Sequence, residues 1–600
     1  MRLPSPRPGY RAAVTAPASA HVRGDRATAG RRARLLVGGW VVVLTALLVW
    51  PITGRGYLLA HDMVFTPRQP LDAAGFGITS AAPRAVPLDA LIAMVERLVD
   101  GAVVGRVAVT LPLLAAGLGC AALLRRCSLA GQLAAATAAV WNPFVVERLA
   151  LGQWALLWSY AALPWLVLGI AAGRGRRAWA LCPVALAAAA ITPTGALIGG
   201  AVAVVVAAVL RRGTRDLLAS ALAVVVQLPW LLPAVTSASA GTSDPRAVAA
   251  FAPRAEHAGG TVLSLLGGGG IWNADVVPAS RGGLHAFAWL VVLAVAAVAG
   301  VPRLRALLGC RVTAGLLATA GAGLLLAAVP ALPGGGALLR SVVDAVPGAG
   351  LLRDTQKWLV PFVLASALVV GAAVDRAAGA VRGRGAAPWS ALVTVAAALL
   401  PLLVLPDAAA TLRVPLRPVR YPADWAAVSR VVAGSSGDVA VLPLSAYRSF
   451  PWAPGRSVLD PAPRLLPSAT VVDDRLAVGR TVLRGENPRV RQVAAALRAG
   501  PGLARSLAAA GIAWVVVEHR TPAGVPVALT GLTRVRAGSD VSLYRVPGPV
   551  AAVRRSPAVT VVVLAADVLA ALAVLGAAAT VARPRRGHRR HRTPERHPAG

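Results

Sequence analysis

Long apolar blocks alternate with short polar intervals along most of this chain. A transmembrane helix needs about 20 largely apolar residues. Twelve stretches approach that length: 35–52, 104–123, 128–146, 155–172, 178–192, 195–210, 217–237, 286–301, 312–330, 357–375, 387–405 and 557–582. Only Pro193-Thr194 separates 178–192 from 195–210, so those two also read as one long broken helix. The pattern changes at 406–556. Helical periodicity at 425–432, 490–498 and 503–510 mixes there with short β-type runs at Asp438–Leu442 and 513–517, and 533–546 reads as a hairpin. The predicted fold class is an all-α polytopic membrane protein of about 12 transmembrane helices with a small extracytoplasmic α/β domain.

Composition narrows the class. Hydrophobic residues make up 56% of the 600 and charged residues 14%, where a soluble chain carries about 25% charged. A single water-soluble core cannot hold that much Ala, Val and Leu. The net charge of +36 suggests nucleic acid, but its placement points elsewhere. Residues 1–34 hold eight arginines and one acid, and 583–600 hold seven and one. Arginines also mark the short loops 124–127, 173–177, 211–216, 302–311 and 376–386. Positive charge stays cytoplasmic, and alternation from an inside N-terminus puts all of these segments on that side. Both termini are therefore expected inside, where basic tails meet anionic lipid. The tails lack the interleaved aromatics of a single-strand binding surface, so no nucleic-acid partner is expected. The N-terminus does not read as a cleavable signal peptide.

The resulting plan is a basic cytoplasmic segment 1–34 and a transmembrane region 35–405 with a long first outer loop 53–103. An extracytoplasmic domain 406–556, a last helix 557–582 and a basic tail 583–600 follow. Cys120, Cys127, Cys182 and Cys310 lie in or beside apolar stretches without metal-ligand spacing. No disulfide holds 406–556 together, because it has no cysteine. Walker, HExxH, GxSxG and dinucleotide-binding patterns are absent. Gly267 to Gly270 read as a flexible connection.

Four places outside 406–556 combine residue types that do chemistry. His61-Asp62 follows the first span, where a carboxylate is placed to act as base towards a sugar hydroxyl. Asp89, Glu96 and Asp100 fall at spacings of seven and four within an amphipathic stretch at 87–103. That predicts three carboxylates on one face of a flat interfacial helix. Asn142-Pro143-Phe144-Val145-Val146-Glu147-Arg148 and Gly152-Gln153-Trp154 put an ion pair at a span end, and Trp141, Trp154 and Trp158 fit an aromatic belt. Leu352-Arg353-Asp354-Thr355-Gln356-Lys357-Trp358 holds the only lysine of the chain. Its two cations at an outer span end suit a lipid phosphate. Within 406–556, aromatics such as Tyr447 and Trp452, with Asp473-Asp474-Arg475, can line a glycan groove.

This layout resembles the GT-C membrane glycosyltransferases. The likeness lies in a first span, a long outer loop with an early acid and a flat helix, ten or more spans and a late outer domain. The 142–165 and 352–358 segments are similar to actinobacterial envelope arabinofuranosyl- and mannosyltransferases. The resemblance implies a polyprenyl-phosphate sugar donor, an envelope glycan or lipid acceptor, and action at the outer face of the plasma membrane within the lipid bilayer. It implies Asp62, with His61, as catalytic residues. Substrate and lipid-phosphate contacts are then expected from Arg353, Asp354, Lys357, Glu147 and Arg148. Asp89, Glu96 and Asp100 are the alternative carboxylates. The chain reads His-Asp where a paired acidic motif would bind metal. No metal ligand is assigned, and a divalent metal stays open as a cofactor. A lipid or glycan transporter would need polar residues along its spans, of which Gln132 and Gln227 are the clearest. A non-catalytic envelope scaffold would tolerate loss of Asp62.

Overall fold

The computed structural model of the chain describes residues 18–582 except 79–84, 173–178, 211–212, 237–242, 384–386, 436, 522–527 and 552–555. The predicted loop 173–177 and tail 583–600 lie outside the described residues. Among the described residues, nine helices are long and apolar enough to cross a membrane. The pair Leu217–Val225 and Leu228–Thr236, bent by 49°, makes a tenth if it is one span. The other two predicted stretches carry shorter helices, Leu181–Ala189 and Ala391–Val404. This is a multi-pass membrane protein.

Helices α1 (Ala18–Val49), α2 (Leu88–Val95), α3 (Gly101–Leu123), α4 (Leu129–Val140), α5 (Pro143–Ala150) and α6 (Trp154–Ala172) open the bundle. α4 and α5 form one broken span. Asn142 caps α5 by accepting from the Val145 N–H at 3.0 Å, and Pro143 takes the first turn, where its missing N–H costs nothing. The bundle packs through small residues. A Cβ on Gly131 would lie 2.8 Å from the Gly371 carbonyl, and one on Gly371 would lie 2.7 Å from that of Gly131. α4 and the helix Val360–Gly383 can therefore touch backbone to backbone, as membrane helices without a hydrophobic drive between them do.

Trp141 and Trp154 are both 6% exposed. The Trp141 indole donates to the Leu405 carbonyl at 2.9 Å, and Trp158 donates to Ala108 at 3.0 Å. The predicted aromatic belt is instead part of the packed bundle: the Trp141 and Trp158 indoles find partners on neighbouring segments, and Trp154 packs against Phe65 with ring centroids 5.0 Å apart.

Residues 407–551 carry a five-stranded mixed sheet. Strands β3 (Asp438–Leu442), β6 (Thr470–Val471), β9 (Ile512–Glu518), β10 (Thr533–Arg536) and β11 (Val541–Arg545) run in the order β10-β11-β9-β3-β6. β3 is parallel to β6 and β9, and β11 is antiparallel to β9 and β10. The central strands are continuous apolar runs, Val439 to Leu442 and Ile512 to Val516, as strands buried on both faces require. Ala423–Val432 covers one face through Trp425, Val428 and Val432. Pro488–Ala496 and Leu503–Ala509 cover the other through Val490, Val493 and Leu507.

The sheet segment sits at one end of the bundle. Tyr57 and Val419 exchange backbone hydrogen bonds at 2.8 and 2.9 Å. Arg464 pairs with Asp89 at 3.1 Å, and Tyr421 donates to the Phe65 carbonyl at 3.0 Å. At the opposite end, Asp375 accepts from Ser128 N–H at 2.6 Å and from Arg303 at 2.8 Å. That contact draws the basic segments 124–127, 302–308 and 376–383 together, away from the sheet; the last two are not the predicted loops but the ends of the helices Leu284–Leu308 and Val360–Gly383.

Candidate functional site

Asp62 stands on the tip of a two-residue hairpin. β1 (Leu59–Ala60) and β2 (Met63–Val64) pair Ala60 with Met63, so His61 and Asp62 form the whole turn. His61 has φ +47, the sign that hairpin turns of this length require. The turn is held from two sides. His61 N–H donates to Ser457 at 2.7 Å and its carbonyl accepts from Leu459 at 2.9 Å, which adds the hairpin to the sheet segment. On the bundle side, Gly152 lies against it: a Cβ there would be 2.5 Å from both the Ala60 carbonyl and the Met63 nitrogen. Only glycine permits that approach, at a φ of +79.

The approach brings Gln153 to Asp62. Gln153 Nε2 donates to Asp62 Oδ2 at 2.9 Å. The Tyr447 hydroxyl, from strand β4 (Tyr447–Arg448), donates to Asp62 Oδ1 in a short hydrogen bond. His61 is half-buried. Burial lowers its pKa, while Asp62 and Asp275 push the other way and are outweighed, which favours the neutral imidazole at pH 7.

A cavity of about 710 Å³ opens in front of Asp62. His61, Gln153 and Tyr447 form one wall, Arg353, Asp354 and Lys357 a second, and Phe251 and Trp272 a third. The hairpin of β7 (Leu476–Val478) and β8 (Thr481–Leu483) completes the enclosure. In the sequence, His61, Gln153, Tyr447 and the Arg353 to Lys357 segment belong to four separate motifs; the fold makes them one chamber. Arg353 pairs with Glu486 at 3.2 Å and lies over the Phe251 ring at 5.6 Å. Lys357 Nζ is 3.5 Å from Asp354 Oδ2.

Behind the cation wall lies a sealed polar layer. Arg148 is fully buried and grips Asp354 with both Nη atoms, at 2.8 and 3.0 Å. It also donates to Gln153 Oε1 and Gln356 Oε1 in short hydrogen bonds. Burial pushes the Asp354 carboxyl up, but Arg148 and Lys357 outweigh it and hold it below the usual range. Gln356 Nε2 reaches Glu147 Oε2 at 3.4 Å and the Gly269 carbonyl at 3.2 Å. Glu256 pairs with the buried Arg281 at 2.8 Å and accepts from Gly270 N–H in a short hydrogen bond. Gly267 to Gly270 are all buried. They are not a flexible connection: their backbone wraps Glu256, and a Cβ on Gly269 would overlap its carboxylate at 2.3 Å. Glu147 and Arg148 lie in this layer and do not line the cavity.

The loop carboxylates do not share a helical face. α2 ends at Val95, and the chain turns before Asp100, which caps α3 by accepting from Ala102 N–H at 2.8 Å. Glu96 is 1% exposed and accepts a short hydrogen bond from Gln69 N–H. Burial pushes its carboxyl up to about 7. Leu91, Met94, Val95 and Leu98 are exposed instead. These apolar side chains are the face expected against lipid, while Asp89 and Glu96 turn not to solvent but to a cation and an N–H on the protein side. Among the described residues, no group of three or more His, Cys, Asp or Glu is placed to hold a metal ion.

No protein-family model and no curated protein matches the sequence. Solved structures do match the fold. The cryo-EM structure of the arabinofuranosyltransferase AftD from Mycobacteria matches with a TM-score of 0.52 and 19% identity, over 86% of this chain and 40% of that one. An Arg-to-Ser mutant of AftD, in its class 2 form, matches with a TM-score of 0.51 and 18% identity, over 87% of this chain and 42% of that one. This chain thus spans well under half the length of those proteins. Over that region it shares the fold of the mycobacterial arabinofuranosyltransferase.

Proposed function

We propose that this protein is an envelope glycosyltransferase that moves a sugar from a polyprenyl-phosphate donor to a glycan or lipid acceptor. In this reading the sheet end of the bundle faces outward and both termini are cytoplasmic. The observation that carries it is the chamber itself: Asp62 and the cations Arg353 and Lys357 line one cavity. The fold likeness to an arabinofuranosyltransferase supports it.

The chemistry follows from the placement. The donor phosphate stays at the headgroup level because its chain is in the bilayer, and Arg353 and Lys357 meet it there. The acceptor hydroxyl enters from the sheet side and attacks the anomeric carbon. Its proton passes to Asp62 as the new glycosidic bond forms. The bond between the anomeric carbon and the phosphate oxygen breaks on the opposite face, with inversion. The polyprenyl phosphate leaves as an anion, so no acid is needed to protonate it. Tyr447 and Gln153 hold Asp62 towards the acceptor. Asp354 keeps Lys357 in place, while Glu147 and Arg148 support the wall from behind.

Asp62→Asn keeps the shape and removes the base. Transfer should fall by roughly 10²–10⁴-fold, with expression, membrane insertion and donor affinity unchanged. The assay is sugar transfer from a synthetic polyprenyl-phosphate donor by purified protein. Full activity in Asp62→Asn, combined with loss in Glu96→Gln or Asp89→Asn, would move the base to the loop and refute this assignment.

A further inference from the structure

Gln153 links the cavity to the sealed layer, and the direction of its amide is not free. Arg148 has only N–H donors to offer. Asp354 clamps it from the far side through two hydrogen bonds, so the guanidinium cannot turn away. Gln153 therefore presents its oxygen to Arg148 and is left with its NH₂ group for Asp62. With the two groups exchanged, N–H would face N–H at Arg148, and oxygen would face oxygen at Asp62.

We propose that Arg148 is a positioning residue that acts through Gln153: it fixes the hydrogen-bond polarity at Asp62, so that each carboxylate oxygen meets a donor. It does so without contact with the cavity. The Tyr447 hydroxyl serves Oδ1 from the sheet segment, and Gln153 serves Oδ2 from the bundle. The carboxylate is thereby pinned between two parts of the fold. The catalytic consequence rests on the proposed transferase reading; the polarity itself does not.

The test reads Asp62 directly. A hydrophobic carbodiimide modifies a carboxyl through its protonated form, and peptide mass spectrometry locates the adduct. Gln153→Met keeps the length and removes the donor. Gln153→Glu keeps the acceptor for Arg148 and turns a carboxylate oxygen towards Asp62. His61, Tyr447 and Lys357, which also act on Asp62, are unchanged in both. At a fixed, mildly acidic pH, labelling of Asp62 should rise about tenfold in Gln153→Met, the factor that one lost hydrogen bond to a charged group represents. It should rise further in Gln153→Glu. Arg148→Lys, which keeps a cation beside Asp354 but loses the fork, should fall between wild type and Gln153→Met. Labelling of Asp62 equal to wild type in both Gln153 variants overturns the proposal. In the transfer assay, kcat should fall while KM for the donor holds; a raised KM at unchanged kcat would make Gln153 a substrate ligand and also overturn it. If no variant or wild type transfers sugar while labelling responds as stated, the transferase reading falls and the positioning role stands.

Discussion

The cavity wall and the layer behind it use the same ions under opposite conditions. On the wall, the Arg353 and Lys357 side chains are 40% and 27% exposed, and Asp62 is half-buried. Behind it, Arg148, Glu147 and Glu256 are at 0% and Arg281 at 1%. A charge out of water is tolerated only with a partner and a full set of hydrogen bonds. The layer meets much of that demand from within, through the Arg148 fork, the Gln356 amide and the glycine backbone, although Glu147 Oε1 and Arg148 Nε have no hydrogen-bond partner among the described residues. The wall does not need to, because water or a ligand completes it. Charge at this end of the bundle is thus two systems: a lower one that fixes geometry and an upper one with valences left for substrate.

The sharpest way to break this division is to remove Arg148. Arg148→Met leaves Asp354 buried beside only the longer contact to Lys357. Loss of one partner of a buried pair costs about 3–5 kcal/mol, read as a large drop in melting temperature in detergent. Lys357→Met leaves the Arg148–Asp354 clamp intact and should cost clearly less. Equal losses would mean that the two layers are one.

Glu96 supplies the complementary case, a buried acid with an N–H partner but no ion pair. Its ordinary pKa is 4.5 and its folded value about 7. Between these values the folded chain holds a proton that the unfolded chain has lost. Stability should therefore fall as pH rises from about 4.5 to about 7 and then level off. Glu96→Gln removes this dependence and should melt higher than wild type at pH 8, by roughly 2 kcal/mol once solvent screening is allowed for. A lower melting point at pH 8 would show that the ionised carboxylate is stabilising, and that Arg464 serves it as a true partner.

Much of the framework was legible in sequence because its signals are local. β3 and β9 are short apolar runs bounded by turn residues, and the spans are long apolar blocks. The site was legible only in pieces. Asp62 and Tyr447 are 385 residues apart, and Arg148 and Asp354 are 206 apart. No periodicity reports a contact at that distance. Gly152 carried a signal that a reading by residue chemistry passes over: a glycine immediately before a glutamine that must reach another backbone turn. The buried glycine run failed for a related reason, since a flexible linker and a backbone wrapped round a carboxylate have the same composition.

Gly152 joins the two systems, and Gly152→Ala tests how closely. The added methyl would meet the Ala60 carbonyl and the Met63 nitrogen at a positive φ. Backbone strain of this kind costs about 1–3 kcal/mol. Because the strain falls on the Asp62 turn, transfer should fall more than stability does, with the sealed layer unaffected. Thermal melts and transfer rates on the same preparation separate the two. A loss of stability with full turnover would show that the turn repositions without consequence.

The smallest effect is expected from the exposed pair. Arg353 and Glu486 meet at 3.2 Å, and Ser243 also donates to that carboxylate at 3.0 Å. With the Arg353 side chain 40% exposed, water competes with the contact, and such pairs contribute about 0–1 kcal/mol. Glu486→Gln should therefore leave the melting temperature almost unchanged. Its effect on binding has a definite sign. Glu486 is an anion competing with a donor phosphate for the same guanidinium, so its neutralisation should tighten the binding of a polyprenyl phosphate. Arg353→Ala should weaken that binding by about 1.5–3 kcal/mol, the range for one hydrogen bond to a charged group. Equilibrium binding of a fluorescent polyprenyl phosphate to the two variants reads both signs. If Glu486→Gln weakens binding instead, Arg353 and Glu486 act together to hold the β7–β8 hairpin over the cavity. The cation that meets the phosphate is then Lys357 alone.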